Sequence, residues 1–369
     1  MFVHHSKDPA MGRKSFPRSA ASFPGGGPGC FVRVASCLAL FGCSLGSGAF
    51  AAAPPNYYDT TAGLTGPSLR SELHRIVKTP YVPLTYTLTR PALEFCDQDP
   101  ANGSNVILIY TRRSEPKTNF IHSPPQNTTE WNREHLWPNS RGILSDGADY
   151  ADLFNLRPAD VEVNADRANL AFEETDPTAN MVVPGSPEAP QTSRDPNSWE
   201  PPPVVKGDIA RALFYMALRY DADGTQEADL TLTDDLALVT GNAPVMGRLT
   251  TLLLWHLDDP VSAAEMLRND CVHLRQGNRN PFIDGPDWVK SVYGDPMFVT
   301  GTVAGNQVTL KWWAGLEGAI PETSTDLQTS NWTAVPGTPS MSGDQKVLTS
   351  AATGPRRFYR IRYRGIVSP

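Results

Sequence analysis

Cysteine is scarce in this chain, which has five cysteines among its 369 residues. Three of the five lie within the first 51 residues, and only Cys96 and Cys271 belong to the remainder. Two cysteines cannot build a zinc site by themselves, because structural zinc takes four ligands. In an oxidising compartment the two could form a disulfide, but the position of Cys271 on the apolar stripe of a predicted helix also fits a buried free thiol. The sequence leaves both alternatives open.

Long hydrophobic runs are also missing. The apolar stretch at residues 34–45 is too short to span a membrane comfortably. Basic residues precede it, and residues 49–51 form an A-x-A cleavage pattern, so residues 1–51 are predicted to be a cleaved signal peptide. A lipoprotein signal with its anchor at Cys43 matches less well. We therefore expect a secreted or periplasmic protein without a membrane span.

Positive charge is in short supply. The chain has 32 Lys and Arg against 39 Asp and Glu, and the first 51 residues contain five and one of these, which leaves 27 against 38. The resulting charge of −11 opposes binding to nucleic acid, which is itself a polyanion. A protein of this composition that acts on nucleic acid needs a bound cation and a local basic cleft, and its activity should depend on salt.

The most informative residues present are at 131–141, with the sequence WNREHLWPNSR, and at Asn164. Hydrolysis of a phosphodiester requires a base for water, a cation at the phosphate and positive charge near the leaving oxygen. His135 titrates near neutrality and can accept a proton from water. Glu134 offers a carboxylate oxygen and Asn164 an amide oxygen, both of which suit Mg²⁺ or Ca²⁺. Because two protein ligands leave most of the coordination shell to water and phosphate, the pattern predicts a catalytic metal site rather than a structural one.

The interval between His135 and Asn164 fits two strands followed by a helix. Turn-forming glycine and aspartate residues occur at 142–147, and residues 161–172 are predicted to form a helix that carries Asn164 inward. The segment is therefore predicted to have a ββα arrangement.

These motifs resemble the bacterial endonuclease I family, a branch of the His-Me finger (ββα-metal) nucleases. The matching blocks are residues 131–138, 152–158 (DLFNLRP), 162–169 (EVNADRAN), 188–195, 206–216, 255–260 and 276–282. The resemblance implies a non-specific secreted or periplasmic endonuclease that acts on nucleic acid. DNA is the expected substrate, and RNA is the alternative. It also implies that His135 activates water and that Glu134 and Asn164 hold Mg²⁺, with Ca²⁺ and Mn²⁺ as alternative ions.

The chain departs from the family pattern at two points. Many members have histidine where this chain has Phe154, for which we expect a packing role. The loop at residues 142–150 lacks Arg and Lys, although well-studied members use an arginine to stabilise the transition state. Arg157 and Arg167, and after them Arg141, are the candidates for that role, because a guanidinium can bind phosphate through two hydrogen bonds. Each arginine fits a structural role equally well.

The overall pattern predicts the α+β class, with a mainly helical catalytic domain at residues 52–297. Apolar residues recur at helical spacing in four segments, and residues 106–110 read as a short buried strand. Residues 177–203, rich in Pro, Ser and Asp, are predicted to form a loop across the core. Residues 276–282 could either reach phosphate or cap a helix end.

Residues 298–369 are predicted to form a small β-sandwich accessory domain, because short alternating segments are separated there by Gly and Pro. Five arginines between residues 356 and 364 predict either a basic face for an anionic surface or a solvated edge strand.

The sequence thus predicts a monomeric, Mg²⁺-dependent endonuclease. Two alternatives stay open: a catalytically idle protein that binds a cell surface or matrix through its C-terminal β module, and a metallophosphodiesterase that uses the same residues on small or RNA substrates.

Overall fold

A computed structural model of the chain describes residues 53–122, 129–145, 147–175, 189–221, 228–294, 299–313, 319–325, 331–342, 345–352 and 357–362. The predicted signal peptide lies outside these ranges, as do residue 146 of the predicted turn, the first part of the predicted loop at 177–203, and Arg356 and Arg364.

Helices and short strands both occur in the described residues. The helices are α1 (Gly66–Lys78), α2 (Tyr86–Cys96), α3 (Val161–Arg167), α4 (Lys206–Arg219), α5 (Leu249–Asp258), α6 (Ala263–Gln276), α7 (Pro281–Asp284) and α8 (Trp288–Tyr293). The strands are β1 (Gln98–Asp99), β2 (Asn102–Ile107), β3 (Ser114–Pro116), β4 (Trp131–His135), β5 (Leu156–Asp160), β6 (Ala171–Phe172), β7 (Ser193–Arg194), β8 (Ser198–Glu200), β9 (Thr231–Leu232), β10 (Val245–Met246), β11 (Val299–Ala304), β12 (Gln307–Trp313), β13 (Ile320–Ser324), β14 (Thr333–Ala334), β15 (Ser340–Ser342), β16 (Gln345–Ala351) and β17 (Phe358–Arg362). Across the described ranges, no helix combines the length and the apolarity that a bilayer crossing requires.

The main apolar core is built around α4, which packs against α1, α5 and α7. The sequence predicts one apolar stripe on this helix, and its residues Ile209, Leu213 and Met216 are indeed buried. The opposite face is buried as well. On that face the buried Arg211 forms an ion pair with Glu265, with Arg211 Nη2 2.6 Å from Glu265 Oε2. A helix enclosed on every side belongs to the centre of a domain.

The strands before residue 294 form several small sheets. Strands β1, β2 and β3 are antiparallel, β4 pairs antiparallel with β5, β8 lies between β6 and β7, and β9 is parallel to β10. The strand predicted at residues 106–110 is displaced, since β2 ends at Ile107. The described residues thus combine helices with short sheets, which agrees with the predicted α+β class.

Strands β4 and β5 lead directly into α3. The two strands pair from Trp131 opposite Asp160 to His135 opposite Leu156. Asp160 then caps α3, because its Oδ1 accepts hydrogen bonds from the backbone N–H groups of Glu162 and Val163. The helix ends earlier than the predicted residue 172, since Ala168 adopts a φ of 52° and the following residues form β6.

Cys96 and Cys271 form a disulfide that joins the end of α2 to α6. Of the two alternatives left by the sequence, the structure contains the bridge and not the free thiol. The bridge connects segments separated by 175 residues, so it closes a large part of the chain into one loop.

The C-terminal strands form two antiparallel sheets, one with the order β11-β12-β16-β15 and one with the order β14-β13-β17. A separate apolar cluster contains residues from both sheets and from the segments between strands, namely Val308, Leu310, Trp312, Val335 and Leu348, with Tyr359 and Ile361 packed against it. In the part of the basic segment that the structure describes, Arg360 and Arg362 both bind the Glu322 carboxylate, with Arg360 Nη2 at 2.8 Å and Arg362 Nε at 2.6 Å. Two of the five arginines therefore share one carboxylate.

Candidate active site

A cavity of about 450 Å³ lies beside the end of β4 and one side of α3. Its walls come from the start of α2, from β4 and the loop after it, and from α3 with the residues that follow. The lining residues are Tyr86, Arg133, Glu134, His135, Pro138, Asn139, Ser140, Asn164, Arg167, Ala168 and Asn169. The structure thus brings Glu134, His135 and Asn164 to one cavity, together with Arg167.

His135 lies in the cavity wall with only 7% of its surface exposed. Its Nε2 lies 2.9 Å from the carbonyl oxygen of Tyr150. Because a carbonyl can only accept, Nε2 carries the ring proton, and Nδ1 of the neutral imidazole keeps its lone pair. Burial lowers the pKa of His135 to about 4, although the Tyr150 carbonyl acts in the opposite direction. The ring is therefore neutral at neutral pH, the form in which it can accept a proton.

Glu134 is buried at the side of His135. Tyr110 donates a hydrogen bond from its hydroxyl to Glu134 Oε1 at 2.6 Å, and Arg167 Nη1 lies 3.4 Å from the same oxygen. Burial raises the pKa of Glu134, while the Arg167 charge and the Tyr110 hydrogen bond lower it. A cation placed next to a buried carboxylate stabilises its charged form.

Asn164 is held by a residue that the sequence interpretation missed. Its Nδ2 donates to Oδ1 of Asn132 at 2.8 Å, which leaves Asn164 Oδ1 as the amide atom suited to a cation. Asn132 lies two residues before Glu134 on β4, and alternation along a strand places these two side chains on the same face. That alternation is the signal by which the sequence could have indicated Asn132.

Arg167 is fully buried, with 0% of its surface exposed. Its Nη1 donates to the carbonyl of His135 at 3.1 Å, and its Nη2 donates to the carbonyl of Leu136 at 2.6 Å. These bonds fix the backbone at the end of β4. Arg167 thus lines the cavity but directs its terminal nitrogens largely to the protein itself.

The other two predicted arginines lie elsewhere. The cavity wall does not include Arg157, whose Nε lies 3.1 Å from Oδ1 of Asp97. Arg141 donates from Nε and Nη2 to the carbonyl of Asn169, at 2.9 and 2.7 Å. The geometry gives both arginines structural contacts and does not support Arg157 as a residue that contacts phosphate.

Arg133 is the second residue missed in the sequence interpretation. It is half-buried, lines the cavity, and stacks its guanidinium on the Tyr86 ring, with Cζ 3.5 Å from the ring centroid. Its position was included in the family motif, but only Glu134 and His135 were assigned chemistry there.

Two further predictions concern a residue near the cavity and residues at a helix end. Phe154 has the expected packing role, since it is buried with its ring 4.5 Å from that of Tyr215. The polar residues Asn278, Arg279 and Asn280 are buried and bonded within the fold, which excludes the predicted alternative that they reach phosphate.

The donor set of the cavity defines a class of site. A neutral imidazole with one free nitrogen, a buried carboxylate, an amide oxygen and an arginine together suit hydrolysis of a phosphate ester. The chain belongs to the endonuclease I family, because the family model described as Endonuclease I matches residues 65–287, which is more than half of its length.

Several curated proteins resemble the chain over much of this range. An extracellular ribonuclease of Bacillus amyloliquefaciens is 42% identical over 241 residues, which cover 64% of this chain and 78% of the relative. An extracellular ribonuclease of Bacillus subtilis (strain 168) is 41% identical over 239 residues, with 64% and 78% covered. An extracellular deoxyribonuclease of Aeromonas hydrophila is 30% identical over 133 residues, with 36% of this chain and 49% of the relative covered.

Proposed function

We propose that the protein is a secreted, metal-dependent endonuclease that hydrolyses phosphodiester bonds in nucleic acid without sequence specificity. The observation that carries this proposal is the single cavity that contains Glu134, His135 and Asn164. Membership of the endonuclease I family supports the reaction class. Secretion is supported by the extracellular relatives and by the signal-like sequence at residues 1–51.

In this proposal His135 is the general base. The Tyr150 carbonyl holds the Nε2 proton, so Nδ1 is the atom that takes a proton from the attacking water. The hydrogen bond to the Tyr150 carbonyl also prevents the imidazole ring from turning, and it stabilises the imidazolium that forms when the proton is taken up. The low pKa of the resting ring keeps it unprotonated in the pH range in which extracellular enzymes work.

Glu134 and Asn164 are the residues that would hold Mg²⁺, or Ca²⁺ or Mn²⁺ in its place. Their oxygens fit a hard cation, and the buried Glu134 carboxylate is the charge that such an ion would offset. In the described part of the chain there is no cluster of three or more His, Cys, Asp or Glu side chains suited to a metal, which fits an ion held by two protein ligands, water and substrate. When bound, the ion would supply Lewis-acid stabilisation at the phosphate.

Arg167 is proposed as a positioning residue. Its charge lies beside Glu134, and its hydrogen bonds hold the carbonyls of His135 and Leu136 in place. Through these bonds it fixes both the carboxylate and the strand end that carries the base.

The names of the relatives favour both RNA and DNA as substrates. Two relatives are named as ribonucleases and one as a deoxyribonuclease.

We propose that the C-terminal strands form an accessory β-sandwich, supported by the apolar cluster that residues of the two sheets share. Because Glu322 binds Arg360 and Arg362, this module is not assigned a role in holding the substrate.

Cleavage assays test the proposal directly. The purified protein is incubated with supercoiled plasmid and with RNA, in Mg²⁺ and in EDTA, beside the variants His135→Ala and His122→Ala. Cutting should require the metal and should fall about 10²- to 10⁴-fold in His135→Ala, the range for loss of a general base. His122 is the control because it lies outside the cavity wall, with its Nδ1 2.6 Å from Glu130 Oε1.

No cutting of DNA or RNA by the wild-type protein in Mg²⁺, Ca²⁺ or Mn²⁺ would overturn the proposal. It would leave the surface-binding alternative, in which the C-terminal module acts as the binder. Equal loss of activity in His122→Ala and His135→Ala would instead remove His135 from the mechanism.

A further inference from the structure

Two arginines line the cavity, and among the residues that the structure describes only one of them has a carboxylate beside its charge. Arg167 lies beside the Glu134 carboxylate and is fully buried. Arg133 is half-buried, and no carboxylate within the described residues forms an ion pair with it. A cation left uncompensated at an open polar cavity is suited to an anionic ligand.

The guanidinium of Arg133 is held in place on one side only. Its Nη1 donates to the carbonyl oxygen of Tyr86 and to Thr89 Oγ1, the latter at 3.2 Å. Its Cζ lies over the Tyr86 ring, an arrangement that favours a cation and orients the plane of the guanidinium. Among the described residues, Nε and Nη2 make no hydrogen bond and remain available to an acceptor.

Arg133 and His135 lie on the same face of β4, because side chains two positions apart on a strand point to the same side. The ring of Tyr86 contacts both, since it stacks on His135 with a centroid distance of 5.8 Å and an angle of 15°. Arg133 and His135 thus lie on one side of β4 and line the same cavity, with the Tyr86 ring in contact with both.

We propose that Arg133 binds the scissile phosphate through Nε and Nη2, and that it supplies the transition-state charge for which the loop at 142–150 has no arginine. This inference rests on the proposed function, since it concerns the same cavity. Burial without a carboxylate partner lowers the pKa of Arg133 but leaves the group charged, because an arginine side chain does not lose its proton in proteins.

A binding experiment tests the phosphate contact without any need for catalysis. The full chain carrying His135→Ala is titrated with a short DNA duplex in Mg²⁺ at several NaCl concentrations, alone and combined with Arg133→Ala, Arg133→Lys or Arg90→Ala. Arg90 is the matched control, because it carries the same charge near the cavity but pairs with Glu94, Nε to Oε1 at 2.7 Å, and is not part of the cavity wall.

The slope of log affinity against log salt should fall by about 0.9 in Arg133→Ala, as expected when one phosphate contact is lost. Arg133→Lys should keep the slope, because it keeps the charge, and Arg90→Ala should leave it unchanged. A purely structural role for Arg133 would lower thermal stability and leave the slope where it was.

Cleavage provides a second readout. With His135 intact, Arg133→Ala should reduce the rate about 10²- to 10³-fold, the cost of removing one transition-state donor. Added guanidinium ion should restore part of this rate in Arg133→Ala and none in His135→Ala.

Three outcomes of the binding experiment would overturn the assignment: an unchanged salt slope in Arg133→Ala, an equal fall of the slope in Arg90→Ala, or no duplex binding at all. If the wild-type protein binds the duplex with the expected slopes but cuts nothing, the proposed function fails while the phosphate contact stands.

Discussion

At the scale of single residues, the cavity depends on side chains that orient the ligand and base candidates. Asn132 orients Asn164, and Tyr110 orients Glu134. Asn155 holds the backbone that follows β4, because its Oδ1 accepts the N–H of Trp137 at 2.6 Å while its Nδ2 donates to the Trp137 carbonyl at 3.0 Å. Such supporting contacts commonly decide how well a metal site works.

Replacing Asn132 should weaken metal use. In Asn132→Leu the acceptor for Asn164 Nδ2 is gone, so the amide can turn and its oxygen is no longer fixed. The Mg²⁺ concentration for half-maximal cleavage should rise about 10- to 100-fold. Asn132→Asp keeps an acceptor at that position and should need no more Mg²⁺ than the wild type. Identical Mg²⁺ dependence in Asn132→Leu and the wild type would refute the role, with thermal unfolding recorded to check the fold.

The sequence predicted Glu134, His135 and Asn164 because the types of residue and their order indicate the chemistry. It did not predict Asn132 and Arg133, whose roles depend on which strand face they share with Glu134 and His135. For Arg157 the sequence left a catalytic and a structural role open, because its partner Asp97 is distant along the chain and meets it only in the folded protein.

At the scale of elements, the turn from β5 into α3 positions the amide ligand. Asp160 has no exposed surface; its Oδ1 caps α3, and its Oδ2 accepts a hydrogen bond from Arg113 Nη2 at 2.7 Å. The single carboxylate thus determines where the helix begins and also pairs with a cation. Because α3 carries Asn164, an error in this cap would displace the cavity wall.

Removing the Asp160 carboxylate should destabilise the protein. Asp160→Ala loses the cap and leaves Arg113 without this partner, so the free energy of unfolding should fall by about 2–4 kcal/mol. Asp160→Asn retains an oxygen that can cap α3 and should lose less. Urea unfolding of the two variants beside the wild type measures the difference. Equal losses in both variants would mean that the cap contributes little.

Element boundaries were predicted less well than element types. The expected helix from residue 161 stops at Arg167, because Ala168 adopts a positive φ and the Arg167 side chain is occupied by backbone carbonyls. Such an ending depends on contacts with β4, which local sequence preferences do not contain. The burial of α4 on all sides has the same kind of origin, since the buried Arg211 is bonded to Glu265 and to the backbone carbonyl of Asp259, both far from it in sequence.

At the scale of the whole molecule, the disulfide ties the cavity to the helical core. Cys96 ends α2, whose first residue Tyr86 contacts both Arg133 and His135, and Cys271 lies in α6. The sequence could not choose between a bridge and a free thiol, because the choice depends on how α2 packs against α6. An extracellular setting would keep the bridge oxidised.

Loss of this bridge should lower stability more than activity. A cross-link between residues 175 positions apart restricts the unfolded chain strongly, so removing it should cost about 3–5 kcal/mol. The melting temperature of the wild type should therefore fall on addition of dithiothreitol, whereas that of the Cys96→Ser/Cys271→Ser variant should already be low and unaffected by the reductant. Cleavage well below the melting temperature should persist in both, because neither cysteine lines the cavity. The reduction of the two cysteines is checked by alkylation. If the melting temperature of the reduced wild type is unchanged, packing between α2 and α6 alone holds these segments together.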